Sequence, residues 1–193
     1  MHDLNPKFKS FSYSPEIKYL ARMMGYIAPI IVQSMYILKN HRIGGEVPPH
    51  TDNTYLRTNP MSCAGIWVAF DDASRDNGCL WGVPGSHKKP TEYFMKTQRD
   101  KEGNSKTFYE PAEPPKYDLT GAVPLEVEKG SVVLLHGDFV HFSHGNTSSQ
   151  QRHAYTLHLV ESRNHQWAQD NWLIRKDVPF NFLFETNNKM NIL

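Results

Sequence analysis

The sequence has little cysteine: Cys63 and Cys79 are the only two in 193 residues. Two cysteines cannot build the disulfide framework of a small secreted domain, so free thiols in a reducing compartment are expected. The sequence also lacks an apolar run long enough to span a bilayer, and its start lacks the charged-then-apolar pattern of a signal peptide. We therefore expect a cytoplasmic protein without a membrane partner.

An excess of charge of either sign is also missing. Lys and Arg number 21 against 20 for Asp and Glu, which leaves a net charge of +1. This balance gives no reason to expect nucleic acid as a partner, and a small-molecule substrate is the simpler expectation. Hydrophobic residues make up 39% of the chain, and its length suits one domain over residues 1–193. These features leave the oligomeric state open, with a monomer favoured.

Short segments rich in β-branched and aromatic residues alternate with turn signals along most of the chain. One amphipathic segment near the start, residues 15–24, predicts a helix because its apolar residues fall on one face and Gly25 follows. This pattern predicts a mainly β fold, a double-stranded β-helix (jelly roll, cupin-like) with flanking helices. The predicted strands cover residues 30–38, 65–70, 79–83, 131–135, 138–142 and 154–161.

Two segments differ from this strand pattern. Residues 88–125 are rich in Lys, Glu, Pro and Asn, and they are too long for a plain connection. We interpret them as a lid or a mobile insertion that selects the substrate. The tail from Asn164 onward carries several large aromatic residues, which favours an ordered strap over the domain.

The most informative motif is His50-Thr51-Asp52. On an extended chain, residues two apart point to the same face, so His50 and Asp52 are placed to grip one metal ion together. The preceding Pro48-Pro49 pair forces an extended backbone there. A lone motif of this kind is common, and the alternative is a turn aspartate beside a surface histidine.

A third ligand has to come from a histidine further along the chain. His141 is favoured because strand alternation places it on one face with Ser143 and because Gly145-Asn146 follows as a turn. Two histidines and one carboxylate form the set that binds non-heme Fe(II) and leaves positions open for substrate and O2. The other candidates, which we rank lower, are His136, His144, His153 and His158.

Arg152 opens the last predicted strand, eleven residues after His141. Its face continues with Ala154, Thr156 and His158, whereas the opposite face is apolar. An arginine on the inner face of a barrel would be an unpaired buried cation unless an anion meets it. Bound 2-oxoglutarate would supply that anion through its distal carboxylate, with hydroxyl donors nearby. The alternatives are an internal salt bridge or a solvated arginine at the strand end.

With these residues in place, the chain resembles the phytanoyl-CoA dioxygenase family of Fe(II)/2-oxoglutarate oxygenases. The resemblance implies His50, Asp52 and His141 as iron ligands, Arg152 as the 2-oxoglutarate clamp, and hydroxylation of a small organic or acyl substrate with O2. It also implies Met35, Trp67 and Ser143 as contacts of 2-oxoglutarate, although position alone would make Met35 and Trp67 ordinary core residues. The segments that carry it are VQSMYILK, GGEVPPHTD, WVAFDDASRDNGCLWGVPGSH, LLHGDFVHFS and RHAYTLHLVE.

Family members resemble this chain over most of its length, but they carry a further, largely helical segment before the position that matches Met1. The resemblance therefore implies either a shortened form of the protein or an incomplete gene model. A rival interpretation follows, a non-catalytic cupin-like binding module or an inactive truncated isoform. A Zn(II) hydrolase with the same ligands is disfavoured because it gives Arg152 no role and no second carboxylate stands near as a general base.

Overall fold

Two α-helices precede the strands in the computed structural model, which describes residues 1–102, 104–175 and 178–184. Helix α1 (Pro6–Ser12) begins after Asn5, whose side chain accepts hydrogen bonds from two first-turn amides. Helix α2 (Pro15–Met23) confirms the predicted helix to within one residue. Helix α1 was not predicted, although an Asn-Pro pair is a typical helix start.

Twelve strands follow in the described residues. Every predicted strand corresponds to an observed one, but the segment 138–142 is shifted to 141–143 because a turn precedes it, in which the Phe139 amide donates to the His136 carbonyl over 2.8 Å. The strands are β1 (Pro29–Lys39), β2 (Val47–His50), β3 (Thr58–Asn59), β4 (Ala64–Ala69), β5 (Leu80–Gly82), β6 (Phe94–Arg99), β7 (Ser105–Glu110), β8 (Val123–Leu125), β9 (Val132–His136), β10 (His141–Ser143), β11 (Arg152–Glu161) and β12 (Gln166–Trp167).

The main strands form two four-stranded antiparallel sheets. The first has the order β1-β11-β4-β9 and the second the order β2-β10-β5-β8. Side chains from both sheets line one cavity, so the sheets enclose it between them. This is the mainly β, jelly-roll architecture that the strand pattern predicts.

The two helices cover the outer face of the first sheet. The apolar face of α2 packs against alternate residues of the central strands, which gives β11 an outer apolar face and an inner face toward the cavity. Strand β11 is therefore buried on both sides, because a helical layer covers one face and the second sheet encloses the other. The buried residues of this layer are Ile17, Ala21, Ile31, Ile66, Val68, Tyr155, Leu157 and Leu159.

The predicted lid region contains a β-hairpin. Strands β6 and β7 pair only with each other, and Met95 of β6 reaches the central cavity. The last residues of the region, Val123–Leu125, are β8 and pair with β5 in the second sheet. The second main sheet therefore includes residues of the stretch 88–125, whereas the β6–β7 hairpin lies outside the two main sheets.

The tail packs on the domain where it is described. Trp167, Phe180 and Phe182 contact a buried cluster that includes Ile30, and Phe182 also forms an isolated bridge with Ile30. This agrees with the expected strap, except that residues 176–177 and 185–193 lie outside the described residues. Within the described ranges, no helix has both the length and the apolar composition needed to cross a membrane.

Candidate metal centre

The structure brings His50, Asp52 and His141 together at one end of the second sheet. His50 ends β2 and His141 begins β10, and antiparallel pairing sets these two residues opposite each other. Asp52 opens a short 3-10 turn directly after β2. One ligand atom from each residue lies within 4.8 Å of the others. The Oδ1 atom of Asp52 is 3.9 Å from His50 Nε2 and 3.8 Å from His141 Nε2.

Backbone carbonyls fix the orientation of both imidazoles. Nδ1 of His50 lies 2.8 Å from the Pro48 carbonyl, and Nδ1 of His141 lies 2.9 Å from the Phe139 carbonyl. A carbonyl only accepts hydrogen bonds, so Nδ1 of each ring carries the proton. The lone pair of each Nε2 is then left facing Asp52. This backbone arrangement is the usual one for histidines that bind metals, because it sets the tautomer before the ion arrives.

The electrostatics of the three residues also suit a cation. Burial alone raises the pKa of Asp52, but the imidazoles of His158, His141 and His50 outweigh it and hold that pKa below its ordinary value. Burial, followed by the neighbouring His141, lowers the pKa of His50 to about 4. At neutral pH the site therefore offers a carboxylate and an unprotonated His50, which are the protonation states that metal binding requires.

The residues present fit Fe(II). Two imidazole nitrogens and one carboxylate oxygen on one side of an ion form the facial set of non-heme iron oxygenases. The buried Oδ2 atom of Asp52 has no hydrogen-bond partner in the structure. Gly65 of β4 makes room for it, since a Cβ at that position would lie 3.1 Å from Oδ2. An unpartnered buried carboxylate oxygen is costly unless a ligand or an ion meets it.

His158 also lies at this centre, although it ranked low among the histidines considered as ligands. Its Nε2 is 3.4 Å from Asp52 Oδ1, although it stands outside the group of three ligand atoms. It shares the inner face of β11 with Arg152 and Thr156, and this alternation was the signal that could have singled it out. The remaining candidates, His136, His144 and His153, do not line the cavity.

The cavity next to the three residues has a volume of about 430 Å³. Its walls are largely apolar, and its polar groups converge at two places, the metal centre and the start of β11. A mainly apolar pocket with a few convergent polar groups is the usual form of a small-molecule site. The apolar lining includes Met35, Ile37, Leu80, Met95, Leu135 and Trp172.

Arg152 lies at the second polar place and is only 1% exposed. Its Nε and Nη2 donate to the Gly78 carbonyl over 3.0 and 2.8 Å, while the buried Nη1 has no partner. No carboxylate of the described chain lies within 4 Å of the guanidinium, so the internal salt bridge considered above is absent. Burial lowers the pKa of Arg152 to about 10, and the side chain remains a cation at neutral pH.

The other predicted contacts line the same cavity as Arg152. Trp67 of β4 is 2% exposed, and its ring centroid is 5.3 Å from the guanidinium carbon. Ser143 of β10 lines the cavity and accepts a hydrogen bond from the buried Lys39, a residue that no sequence motif indicated. Met35 of β1 lines the cavity from the first sheet, opposite Thr156 in the strand register. All seven predicted site residues therefore line one cavity.

A model of the phytanoyl-CoA dioxygenase (PhyH) family matches residues 2–154. A phytanoyl-CoA dioxygenase of Arabidopsis thaliana is 44% identical over 180 residues, which are 93% of this chain and 61% of that protein. Phytanoyl-CoA dioxygenase domain-containing protein 1 of Danio rerio is 41% identical over 198 residues, 95% of this chain and 63% of that protein. The chain thus spans less than two thirds of the length of these relatives.

Solved structures with the same fold are more distant in sequence. The non-heme, alpha-ketoglutarate-dependent epimerase SnoN from nogalamycin biosynthesis superposes with a TM-score of 0.69 at 17% identity, over 94% of this chain and 74% of that one. EvdO2 from Micromonospora carbonacea, complexed with 2-oxoglutarate, gives a TM-score of 0.61 at 21% identity, over 84% and 66%. These likenesses confirm the jelly-roll fold.

Proposed function

Because the chain belongs to the phytanoyl-CoA dioxygenase family, we propose that it is an Fe(II)- and 2-oxoglutarate-dependent dioxygenase. Its substrate would be a small organic or acyl molecule that is hydroxylated with O2. The observation that carries the proposal is the meeting of two features in one cavity: the group of His50, Asp52 and His141, and the buried, unpartnered Nη1 of Arg152. Neither feature alone would require 2-oxoglutarate.

Each feature has a separate role in this proposal. His50, Asp52 and His141 would hold Fe(II) from one side, and their carbonyl-bonded rings need no rearrangement to do so. When bound, the iron and 2-oxoglutarate would supply the oxidising chemistry, with succinate and CO2 as co-products. Arg152 would receive the distal carboxylate with Nη1, and Ser143 would donate to the same anion. The apolar walls would exclude water from the reacting centre.

The test is an anaerobic titration of the purified chain with Fe(II) and then 2-oxoglutarate. Chelation of Fe(II) by the 2-oxo acid produces a weak visible charge-transfer band, which we expect to saturate with both ligands. Under air, 2-oxoglutarate should then be converted to succinate. Absence of the band at saturating ligand would contradict the proposal.

A variant of one ligand makes this test specific. His141→Ala should lose the band and the succinate release, whereas His144→Ala, a neighbouring histidine that does not line the cavity, should retain both. Full turnover by His141→Ala would show that the ligand assignment is wrong. Succinate release scored against a panel of metabolites would then identify the substrate. A chain that folds but binds neither Fe(II) nor 2-oxoglutarate would favour the rival binding module.

A further inference from the structure

Lys39, the last residue of β1, is a buried lysine whose side chain is 2% exposed. Its Nζ donates three hydrogen bonds: to the Gly45 carbonyl over 2.7 Å, to Ser143 Oγ over 2.8 Å and to the His144 carbonyl over 2.6 Å. An ammonium group has three protons and no lone pair, so these contacts use its whole capacity. Lys39 therefore has a fixed position and does not itself line the cavity.

The hydrogen bond from Lys39 to Ser143 determines which further hydrogen bonds the Ser143 hydroxyl can form. Because the ammonium only donates, Ser143 Oγ is the acceptor of this bond, and its own proton must be donated elsewhere. Ser143 is 1% exposed and lines the same cavity as Arg152. Because Ser143 lines the cavity, we expect this proton to be donated to a molecule bound there, and an anion is the partner that gains most from such a donor.

Lys39 also adds a second positive charge close to Arg152. The two residues are partners in the register of β1 and β11, so they face each other across adjacent strands. Gly78 packs against both: its carbonyl accepts from Arg152, and a Cβ on it would lie 2.6 Å from Lys39 Cδ. Among the ion pairs of the described chain, neither cation has a carboxylate partner within 4 Å.

We propose that Lys39 is a positioning residue for the anion subsite: it commits Ser143 to donate a hydrogen bond to the distal carboxylate of 2-oxoglutarate and doubles the positive charge behind that carboxylate. This inference rests on the proposed function. Two buried cations without a carboxylate are costly, and a dianionic ligand is what would offset that cost. The alternative is a purely structural role, in which Lys39 only ties the loop at Gly45 to the loop at His144.

The test compares two ligands that differ only at the distal end. Both 2-oxoglutarate and 2-oxopentanoate carry the 2-oxo acid group on a five-carbon chain, but 2-oxopentanoate has a methyl group in place of the distal carboxylate. Their affinities for the Fe(II)-loaded, anaerobic protein are read from the charge-transfer band. We expect Lys39→Met to weaken 2-oxoglutarate about tenfold or more, as for loss of a charge-assisted hydrogen bond, and to leave 2-oxopentanoate nearly unchanged.

A structural role would weaken both ligands alike, and that result would overturn the proposal. Lys9→Met removes a charge from an exposed position and should alter neither affinity. If Lys39→Met does not fold, Lys39→Gln, which keeps a polar donor, takes its place. The ratio of its affinities for 2-oxoglutarate and 2-oxopentanoate then distinguishes the positioning role from the structural role. If Lys39→Gln and the wild type showed the same ratio of affinities for 2-oxoglutarate and 2-oxopentanoate, the proposal would also be overturned. Failure of the wild type to bind either acid would instead reject the proposed function, and this inference with it.

A double variant of Lys39 and Ser143 tests whether Lys39 affects the binding of 2-oxoglutarate through Ser143. If Lys39 acts through Ser143, then Lys39→Met should cost less affinity for 2-oxoglutarate in a Ser143→Ala background than in the wild type. Additive losses would overturn the orienting role of Lys39 toward Ser143.

Discussion

The imidazole of His158 lies against the carboxylate of Asp52, with Nε2 3.4 Å from Oδ1. Both side chains are buried, and His158 comes from β11, one of the two inner strands of the first sheet, whereas Asp52 follows β2 of the second. This contact joins the two sheets at the metal centre. It gives Asp52 a neighbour that fixes the position of the carboxylate, and the electrostatic interaction with His158 lowers the pKa of Asp52.

Replacing His158 should therefore weaken metal binding without abolishing it. We expect His158→Leu to raise the dissociation constant for Fe(II) or Mn(II) roughly 10- to 100-fold, which is typical when a residue that orients a metal ligand is lost. Anaerobic titration calorimetry measures this directly. His41→Leu, an exposed histidine, is the control. Unchanged affinity would reduce His158 to a packing role, and complete loss would mean that His158 is itself a ligand.

Removing the guanidinium of Arg152 should weaken the binding of 2-oxoglutarate strongly while changing the stability of the ligand-free protein little. Arg152→Met replaces a buried, unpaired cation with an apolar chain, so the free energy of unfolding of the ligand-free protein should fall by no more than about 1 kcal/mol. Affinity for 2-oxoglutarate should fall about 100-fold, because both the charge-assisted hydrogen bond from Nη1 and the attraction of the guanidinium charge for the distal carboxylate are lost. Urea denaturation and the anaerobic titration measure the two quantities.

Arg163→Met, at an exposed position, is the matched control and should change neither quantity. An Arg152→Met protein that is strongly destabilised yet binds 2-oxoglutarate normally would assign Arg152 to the core alone.

Affinity for 2-oxoglutarate should also depend on pH through Lys39. Burial, and then the charge of Arg152, lower the pKa of Lys39 to about 8, with Cys79 and Glu46 acting weakly in the opposite direction. The charged form is therefore present below pH 8 and is lost as the pH rises through it. The affinity should fall between pH 7 and pH 9, because an anion binds the charged form better.

The pKa values of two neighbouring groups, Cys79 and Arg152, lie above this interval. Burial raises the pKa of Cys79 to about 11, and burial lowers the pKa of Arg152 to about 10. The Lys39→Met protein should accordingly bind more weakly but with a flatter profile over the same interval. Parallel pH profiles for the two proteins would falsify the assignment of the titration to Lys39.

The β6–β7 hairpin should influence the substrate rather than 2-oxoglutarate. Met95 is half-buried and lines the cavity from this hairpin, outside the two main sheets. Met95→Trp narrows the cavity, so we expect a changed set of accepted substrates in a metabolite screen scored by succinate release. The charge-transfer band with 2-oxoglutarate should keep its affinity. Gln98→Ala, on the exposed side of the same strand, controls for disturbance of the hairpin. Loss of the band in Met95→Trp would contradict a role limited to the substrate.

Tyr155 provides a test of the fold that is independent of the site. It is fully buried on the outer face of β11, and its hydroxyl forms a 2.9 Å hydrogen bond with Ser12 Oγ at the end of α1. Tyr155→Phe leaves the Ser12 hydroxyl buried without that partner, which should lower the free energy of unfolding by about 1–3 kcal/mol. Tyr19→Phe, at a 60% exposed position, should lie within about 0.5 kcal/mol of the wild type. Equal unfolding midpoints for both variants would contradict this account.

Local patterns in the sequence predicted helix α2 and six of the twelve described strands, including all four strands of the first sheet. The alternation of Tyr155, Leu157 and Leu159 with Arg152, Thr156 and His158 predicted two distinct faces of the last strand, and the structure confirms them. Helix α1 was missed because its seven residues are too few for a clear apolar period. The strand at His141 was placed too early because the turn before it depends on contacts of Asp138 with Asn53 and Thr91, which lie far away in sequence.

The amino-acid sequence identified the candidate metal ligands and the arginine. The chemistry of an H-x-D pair and of a guanidinium group can be inferred from residue types that lie within a few positions of each other. Only the tertiary structure decided that His158 stands at Asp52 and that Lys39 stands at Ser143, residues separated by about a hundred positions in each case. No local pattern encodes these contacts, since they depend on strand register and on which sheet faces which. The register of β1 and β11 places Lys39 opposite Arg152. The packing of the first sheet on the second then determines which buried charged side chain lacks an oppositely charged partner.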